Sequence, residues 1–367
     1  MKLNFVDLKR QYETIKPEID SAIEKVISET AFIGGNYVEQ FERDFSDLYG
    51  VSNCISVANG TDSLYIIMKM LGIGPGDEVI TPANSWISSS ETIGQTGAKP
   101  VFVDTERDYF TMDIDLVAKA ISPRTKAIMP VHLYGQMCDM DALMKLANLH
   151  EIPVIEDCAQ SHFSEFNGTR AGLFGVAGSF SFYPGKNLGA YGDAGGIITN
   201  DDELAEKFRK YARHGALVKH QHEIEGINSR MDGLQAAILS VKCKYIEAWT
   251  EKRIWVAEQY NKRLSDIHAI TTPKLRPNSR HSYHLYVIRA QERESLAKFL
   301  EERGIPTVIH YPTPLPFLEA YASEAYTAKD FPVVHEYASQ ILSLPIFPEM
   351  TESEIDHVAD AVRTFYS

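Results

Sequence analysis

Lys186 is the residue of this sequence best suited to covalent chemistry. It lies within residues 179–196, a stretch of small residues, hydroxyls and aromatic rings. Most lysines occupy polar, flexible surroundings, whereas here Pro184 and Gly185 restrict the backbone and later glycines let a ligand approach closely. The segment indicates an amine that forms an imine. A glycine-rich turn with an incidental lysine is the alternative interpretation.

Asp157 ends residues 154–157, which have the pattern of a short buried strand. Ligands of open α/β sheets collect at the carboxyl ends of such strands. A carboxylate there, followed about thirty residues later by Lys186, is the pair that pyridoxal 5'-phosphate (PLP) chemistry requires. The lysine binds the cofactor aldehyde as a Schiff base, and the aspartate keeps the pyridine nitrogen protonated.

A third element, residues 59–64, follows an apolar run and opens a helix predicted from Leu64 to Leu71. The free N–H groups of a helix start bind phosphate. Asn, Ser, Thr and Asp before a helix are also ordinary N-caps, so this element alone does not distinguish a phosphate site from a cap. The three elements together, in this order and spacing, are more specific.

With these motifs, the chain resembles the DegT/DnrJ/EryC1/StrS family of sugar-nucleotide aminotransferases, which are PLP enzymes of the aspartate-aminotransferase fold. The resemblance covers essentially the whole chain. The motifs that carry it are residues 5–12, 60–62, 131–136, 156–160, the Lys186 segment, 226–232 and 310–312.

The resemblance assigns the catalytic and ring-binding roles residue by residue. Lys186 matches the Schiff-base lysine, which also moves a proton between the substrate carbon and the cofactor. Asp157 matches the partner of the pyridine nitrogen. Gln160 matches the residue that hydrogen-bonds the phenolic oxygen, with a turn cap as the alternative. Trp86 matches an aromatic ring over the pyridine, with a core tryptophan as the alternative.

The resemblance also implies a phosphate site that two subunits share. Gly60, Thr61 and the Ser181 hydroxyl match neutral donors that bind the phosphate dianion through charge-assisted hydrogen bonds. Asn228 matches an asparagine that reaches the phosphate of the neighbouring subunit. We therefore expect a homodimer with shared active sites.

Substrate contacts are expected in the segments that this family uses around the nucleotide sugar: Tyr183, Lys219, Arg230, His310 and Tyr311. A salt bridge to a structural carboxylate is an equal alternative for Arg230, and residues 219–222 could form an exposed polar loop. Many relatives have histidine where this chain has Pro316, so one substrate contact is absent or comes from elsewhere. No metal site is expected.

Apolar, β-rich runs alternate with helical patterns, and each run is followed by a predicted helix. The runs are residues 78–81, 100–103, 127–131 and 153–155. The alternation predicts an α/β fold with a mostly parallel sheet between helices, and the resemblance implies the seven-stranded PLP-dependent transferase fold, fold type I. We expect a large PLP-binding domain with an N-terminal arm at residues 1–245 and a smaller α+β domain at residues 246–367. Helical spacing over residues 231–264 predicts one long helix.

The composition is that of a large soluble enzyme. The chain has 367 residues, 44% of them hydrophobic, which is more than one core usually supports. No apolar run approaches a membrane span and residues 1–7 lack a secretory core, so a cytoplasmic location is expected. A net charge of −14 argues against nucleic-acid binding. The four cysteines lack metal-type spacing and are expected to be reduced and buried.

The predicted reaction moves an amino group from L-glutamate, released as 2-oxoglutarate, to a nucleotide-linked keto-deoxysugar. Within the family, residues 131–136 and 186–193 most resemble enzymes that aminate C3 of a dTDP-3-keto-6-deoxyhexose. Amination at C4 of a dTDP- or UDP-4-keto sugar is the first alternative, although C4 enzymes more often have glutamate at the position of Asp193. The product is expected to enter an O-antigen or S-layer glycan.

Two further alternatives belong to other classes of protein. Some members of the family are sugar dehydratases that depend on pyridoxamine 5'-phosphate (PMP). These enzymes replace the anchoring lysine with histidine, so Lys186 argues against that chemistry. A non-catalytic regulator with the same fold is the last alternative, and the intact set of Lys186, Asp157, Gln160 and Ser181 argues against it.

Overall fold

The computed structural model describes all 367 residues. The α-helices are α1 (Leu8–Ser28), α2 (Asn36–Tyr49), α3 (Gly60–Met70), α4 (Ser88–Thr96), α5 (Ile114–Ala120), α6 (Met140–Leu149), α7 (Asp202–Ala212), α8 (Gly233–Cys243), α9 (Ile246–Leu264), α10 (Arg293–Glu301), α11 (Pro332–Ala338) and α12 (Glu352–Phe365). Short 3-10 helices span Leu133–Gly135, Leu315–Phe317 and Glu319–Glu324. The strands are β1 (Asn53–Val57), β2 (Glu78–Pro82), β3 (Lys99–Val103), β4 (Thr125–Ile128), β5 (Ile155–Asp157), β6 (Glu165–Phe166), β7 (Thr169–Arg170), β8 (Ala177–Ser181), β9 (Gly195–Thr199), β10 (Ile270–Thr271), β11 (Ser279–Arg280), β12 (Tyr286–Ala290) and β13 (Ile341–Leu344).

Seven strands form one continuous sheet in the order β3-β2-β4-β5-β8-β9-β1. Its two halves, β3-β2-β4 and β5-β8-β9-β1, meet through parallel bridges from Ile128 to Val154 and from Val131 to Asp157. Strand β9 alone opposes the direction of the others, because it is antiparallel to both β8 and β1. The predicted α/β fold with a mostly parallel, seven-stranded sheet is therefore confirmed.

Helices cover both faces of this sheet because its strands are apolar on both sides. Strands β2 and β9 are buried at every position. In β9, Ile197 packs in the cluster that includes α3, α4 and α7, whereas Ile198 packs in the cluster that includes α2, α6 and α8. Successive strand residues thus supply two separate cores.

Two elements differ from the predictions. Strand β5 is not followed by a helix, because residues 158–164 turn directly into the hairpin of β6 and β7. The helix predicted over residues 231–264 is interrupted at Lys244 and Tyr245, which separate α8 from α9. The N–H groups of these two residues bond to carbonyls three positions back, which tightens the backbone and ends α8.

A further apolar core lies in the C-terminal part of the chain. The antiparallel sheet β10-β12-β13 packs there with α9, α10 and α12. Tyr260 and Ile288 are fully buried in this core, and Leu3 from the N-terminal arm joins them. Strand β11 instead pairs with β6. The domain division after residue 245 stays a prediction, and it falls between α8 and α9.

None of the helices combines the length and the hydropathy that crossing a bilayer requires. All four cysteines are buried and unpaired, which confirms that part of the prediction: Cys54, Cys138, Cys158 and Cys243.

Candidate active site

Asp157 lies at the carboxyl end of β5, next to β4. Its side chain is buried and accepts hydrogen bonds from the Ser89 hydroxyl (3.0 Å) and the Ala159 N–H (3.1 Å). Burial raises the pKa of Asp157, and the two donors and Lys186 oppose that shift. The fold thus keeps the Asp157 carboxylate away from water. A cationic partner would stabilise its ionised form there.

Lys186 follows β8 in a turn where its N–H donates to the Tyr183 carbonyl at 2.8 Å. Its side chain is half-buried. Burial lowers the pKa of Lys186 to about 8, and the Asp157 carboxylate partly opposes the shift. Asp157 ends β5, and Lys186 follows β8, the strand paired with β5, so the fold brings the two residues into one site. Each charge accordingly shifts the pKa of the other.

The start of α3 presents unpaired donors beside Ser181. Asn59 caps the helix by accepting from the Asp62 N–H at 2.8 Å, and the N–H groups of Gly60 and Thr61 have no acceptor in the chain. Gly60 packs so closely that a Cβ atom on it would lie 2.7 Å from the Ser181 Cβ. Glycine is required for this approach, which sets the Ser181 hydroxyl beside the helix start.

Gln160 is buried three residues after Asp157 and hydrogen-bonds to two tyrosines. Its Oε1 accepts from the Tyr134 N–H at 2.8 Å, and its Nε2 donates to the Tyr311 hydroxyl at 2.9 Å. The rings of Tyr311 and Trp86 lie 5.6 Å apart, and Trp86 is 58% exposed, so it is not a core tryptophan. Burial raises the pKa of Tyr311, with Asp157 adding to the shift, so its hydroxyl stays protonated.

His310 and Tyr183 lie near Lys186. Burial, together with the Lys186 charge, lowers the pKa of His310 to about 4. The Nδ1 atom of His310 lies 2.8 Å from the Ser343 hydroxyl. Tyr183 is exposed and belongs to the turn that precedes Lys186. His310 therefore lies within reach of the Lys186 charge and is a neutral imidazole at pH 7, whereas Tyr183 is linked to Lys186 through the backbone of the turn.

Asn228, Lys219 and Arg230 make no direct contact with Lys186 or Asp157. All three are exposed, and no hydrogen bond or ion pair joins them to Lys186 or Asp157 within the chain. The alternative of a structural salt bridge for Arg230 is not realised, because its guanidinium pairs with no carboxylate. Next to Asn228, the Ser229 hydroxyl accepts from the Ala58 N–H at 3.1 Å, just before the start of α3.

Lys219 and Arg230 share a cavity of about 440 Å³ with other cationic or titratable side chains. These are Arg213, His214, His220 and His222. Glu39 is the one acidic residue in the lining. The cavity therefore suits an anion more than a cation.

Four residues near the site were not predicted from the sequence: Ser89, His162, Asn187 and His284. The amide of Asn187 donates to a carbonyl of the C-terminal part at 3.0 Å, and its Oδ1 lies 3.3 Å from His284 Nδ1. His162 is fully buried, and neither of its ring nitrogens has a hydrogen-bond partner. Adjacency to Lys186 was the only local signal for Asn187. Ser89 and His284 reach the site through long-range packing that spacing does not reveal.

His132, Glu156 and Cys158 place three potential metal-ligand atoms within 4.8 Å of one another in the core. The Glu156 carboxylate already lies 3.0 Å from His132 Nε2 and accepts from the N–H groups of residues 172, 174 and 175. The role of Glu156 in this cluster is therefore structural, since its hydrogen bonds join β5 to His132 and to the chain after β7.

A mostly parallel seven-stranded sheet that holds a lysine, a buried aspartate and an open helix start defines the class of fold type I PLP enzymes. The chain belongs to the DegT/DnrJ/EryC1/StrS aminotransferase family, whose model matches residues 13–363.

Related proteins extend over nearly the whole chain. It is 41% identical over 362 residues to the dTDP-3-amino-3,4,6-trideoxy-alpha-D-glucose transaminase of Streptomyces venezuelae, covering 99% of this chain and 96% of that protein. It is 43% identical over 360 residues to the UDP-2-acetamido-2-deoxy-3-oxo-D-glucuronate aminotransferase of Pseudomonas aeruginosa, covering 98% and 99%. A crystal structure of S. venezuelae DesV in complex with a ketimine intermediate matches with a TM-score of 0.97 and 40% identity, covering 100% of this chain and 99% of that one.

Proposed function

We propose that this protein is a PLP-dependent aminotransferase that transfers an amino group from L-glutamate to C3 of a nucleotide-linked 3-keto-deoxysugar. The observation that carries the proposal is that Lys186 follows β8, the strand paired with β5, and that Asp157 ends β5. Membership of the aminotransferase family supports the reaction. The two relatives, whose names specify 3-amino or 3-oxo sugars, support the position on the sugar.

The residues present fit PLP. When bound, the cofactor supplies an electron sink for the reacting carbon of the amine. Its phosphate is assigned to Gly60, Thr61 and Ser181, whose donors have no competing carboxylate partner. The remaining assignments are Gln160 to the phenolic oxygen, Trp86 to the ring face and Asp157 to the pyridine nitrogen.

Lys186 and Asp157 perform complementary tasks in this proposal. A pKa of about 8 leaves part of the Lys186 population neutral near pH 7, so the amine is able to accept a proton and return it. Asp157 stays ionised when it faces a protonated ring nitrogen, because the pair replaces the solvation that burial removes. His310 is neutral at this pH and leaves the positive charge of the site to Lys186.

The substrate diphosphate is assigned to the cationic cavity of Lys219 and Arg230. The lining of this cavity includes neither Lys186 nor Asp157, so we propose that the diphosphate comes from the site of a second subunit. Tyr183, His310 and Tyr311 are assigned to the sugar. The name of one relative specifies a dTDP sugar and that of another a UDP sugar. Of these two nucleotides, we propose dTDP. A cytoplasmic location and an O-antigen or S-layer product stay predictions.

The proposed function is tested by transamination with matched substrates. The PLP-loaded protein receives L-glutamate and either a dTDP-3-keto-6-deoxyhexose, formed in situ by an isomerase, or its 4-keto isomer. We expect 2-oxoglutarate to form in proportion to an amino sugar only with the 3-keto compound, measured by mass spectrometry. Conversion of the 4-keto isomer alone would assign the enzyme to C4. Full PLP binding without turnover of either sugar would favour the non-catalytic alternative.

The shared site makes a separate prediction for Asn228, which is exposed and has no hydrogen bond to Lys186 or Asp157 of its own chain. Lys186→Ala and Asn228→Ala subunits are expected to be nearly inactive as homodimers. If Asn228 acts in the neighbouring subunit, a mixed dimer has one doubly defective site and one intact site. Doubly tagged, purified mixed dimers should therefore recover about half of the wild-type activity.

Recombined dimers of each single variant provide the control for the exchange procedure. Mixed dimers verified by mass that stay as inactive as the parents would place Asn228 in its own subunit's site. That result would remove the argument for a shared site while leaving the aminotransferase proposal intact.

A further inference from the structure

Lys242 is a lysine that the structure buries almost completely. It lies in the last turn of α8 and is 1% exposed. Its Nζ atom donates to the Gly189 carbonyl at 2.6 Å and lies 4.4 Å from the centre of the Tyr191 ring. No carboxylate lies within salt-bridge distance, and burial lowers the pKa of Lys242 to about 8, with Glu349 partly opposing the shift. Burial of this amine costs solvation free energy, and its contacts with Gly189 and Tyr191 offset part of that cost.

Both contacts belong to the segment that carries Lys186. Gly189 follows the catalytic lysine by three positions, and Tyr191 by five. The Tyr191 N–H donates to the side chain of Gln235, another residue of α8, at 2.8 Å. Helix α8 therefore hydrogen-bonds the segment just after Lys186 at two points, the Gly189 carbonyl and the Tyr191 N–H.

The Gly189 backbone has little freedom to compensate if the contact with Lys242 is lost. A Cβ atom at this glycine would lie 2.3 Å from the Pro184 carbonyl oxygen, so the turn closes tightly on itself. The Ala190 N–H donates to the Phe182 carbonyl at 2.8 Å, which fixes the next peptide. The orientation of the Gly189 carbonyl and the path of the chain at Lys186 are therefore coupled.

We propose that Lys242 is a positioning residue that holds the turn carrying Lys186, through the Gly189 carbonyl, so that the lysine amine faces Asp157. The inference rests on the proposed role of Lys186 and deepens it. Lys242 touches neither substrate nor cofactor in this role. An apolar residue at position 242 would pack in the same core but would leave the Gly189 carbonyl buried and unpaired.

The test measures the amine of Lys186 in the cofactor-free protein. Competitive acetylation across a pH series, quantified on the Lys186 peptide by mass spectrometry, gives its titration midpoint. The variants are Lys242→Met, which keeps the length but removes the donor, and Lys242→Arg, which keeps a cationic donor. Lys244→Met is the matched control, because Lys244 is exposed and pairs with Glu18 at the surface.

We expect a wild-type midpoint of about 8, from the burial of the amine. In Lys242→Met the midpoint should rise by about one unit or more toward that of a solvated lysine, because the turn no longer holds the amine in its buried place. PLP affinity should fall by about tenfold or more in parallel, measured by equilibrium dialysis. The arginine variant should restore most of both values, and the Lys244 control should match the wild type.

A folded Lys242→Met protein with a wild-type midpoint and wild-type PLP affinity would overturn the proposal. If the methionine variant does not fold, Lys242→Gln, which keeps a neutral donor of shorter reach, takes its place. A raised midpoint in that variant, restored by arginine, supports positioning. A wild-type midpoint, or loss of folding in every variant, makes Lys242 a residue of the core alone. Failure of the proposed function is distinguishable, because the midpoint is read without substrate or cofactor.

Discussion

Replacement of Lys186 by alanine is expected to reduce transamination by about 10³-fold or more, because the change removes both the anchor of the cofactor aldehyde and the proton carrier. The purified wild-type protein should be yellow and should bleach when glutamate is added. The variant should lose this absorbance band and should bind PLP only through non-covalent contacts, such as those of its phosphate. Absorbance spectra and single-turnover rates in both half-reactions provide the measurement.

A borohydride-reduction experiment makes the Lys186 prediction decisive. Reduction should fix PLP to the Lys186 peptide in the wild type and to no peptide in Lys186→Ala. Lys252→Ala is the matched control, since Lys252 is exposed and its amine lies over the ring of Trp255, which is not a site residue. A variant that kept a reducible covalent adduct at another lysine would show that the imine residue has been wrongly assigned.

Asp157→Asn is the second change with a large expected effect. Asparagine preserves the shape of the side chain but removes the negative charge that pairs with a protonated ring nitrogen in a buried place. We expect the variant to retain part of its PLP affinity, because the phosphate donors at the start of α3 are unchanged. Both half-reactions should nevertheless slow by about 10²- to 10³-fold. Stopped-flow rates with glutamate and with the keto sugar measure the two losses separately.

Ser89→Ala provides a graded comparison for Asp157→Asn. It removes one hydrogen bond to the carboxylate and leaves the Ala159 N–H in place. Because the carboxylate keeps its charge, the loss should be about tenfold or less. Near wild-type turnover of Asp157→Asn in both half-reactions would exclude the role proposed for Asp157.

The local parts of the site could be predicted from the sequence because each is a short contiguous signal. Asp157 ends an apolar run, Lys186 sits in a glycine-rich turn, and Gly60 opens a helix after a strand. The alternation of apolar, β-rich runs with helical patterns likewise predicted the mostly parallel sheet. The interruption of the long helix at Tyr245 was missed, because no proline or glycine marks it and the apolar spacing continues through it.

The absent helix after β5 has a different cause. A helix was predicted to follow this strand, but residues 158–164 are held by distant parts of the chain: the Phe163 N–H donates to the Tyr49 hydroxyl at 3.0 Å, and the Ser164 hydroxyl donates to the Gly135 carbonyl at 2.6 Å. Long-range hydrogen bonding decides this connection, and local propensity does not report it.

By itself, the sequence determined the class of chemistry, since a helix start with free N–H groups, a carboxylate at a strand end and a lysine suited to imine formation appear in that order along the chain. Only the tertiary structure decided that Ser89 donates to Asp157, that burial lowers the pKa of Lys186 to about 8, and that Lys242 contacts Gly189. The physical reason is that solvation and hydrogen bonding depend on which distant segments pack together. Residue type sets what a side chain is able to do, and packing sets its charge, its partners and its direction.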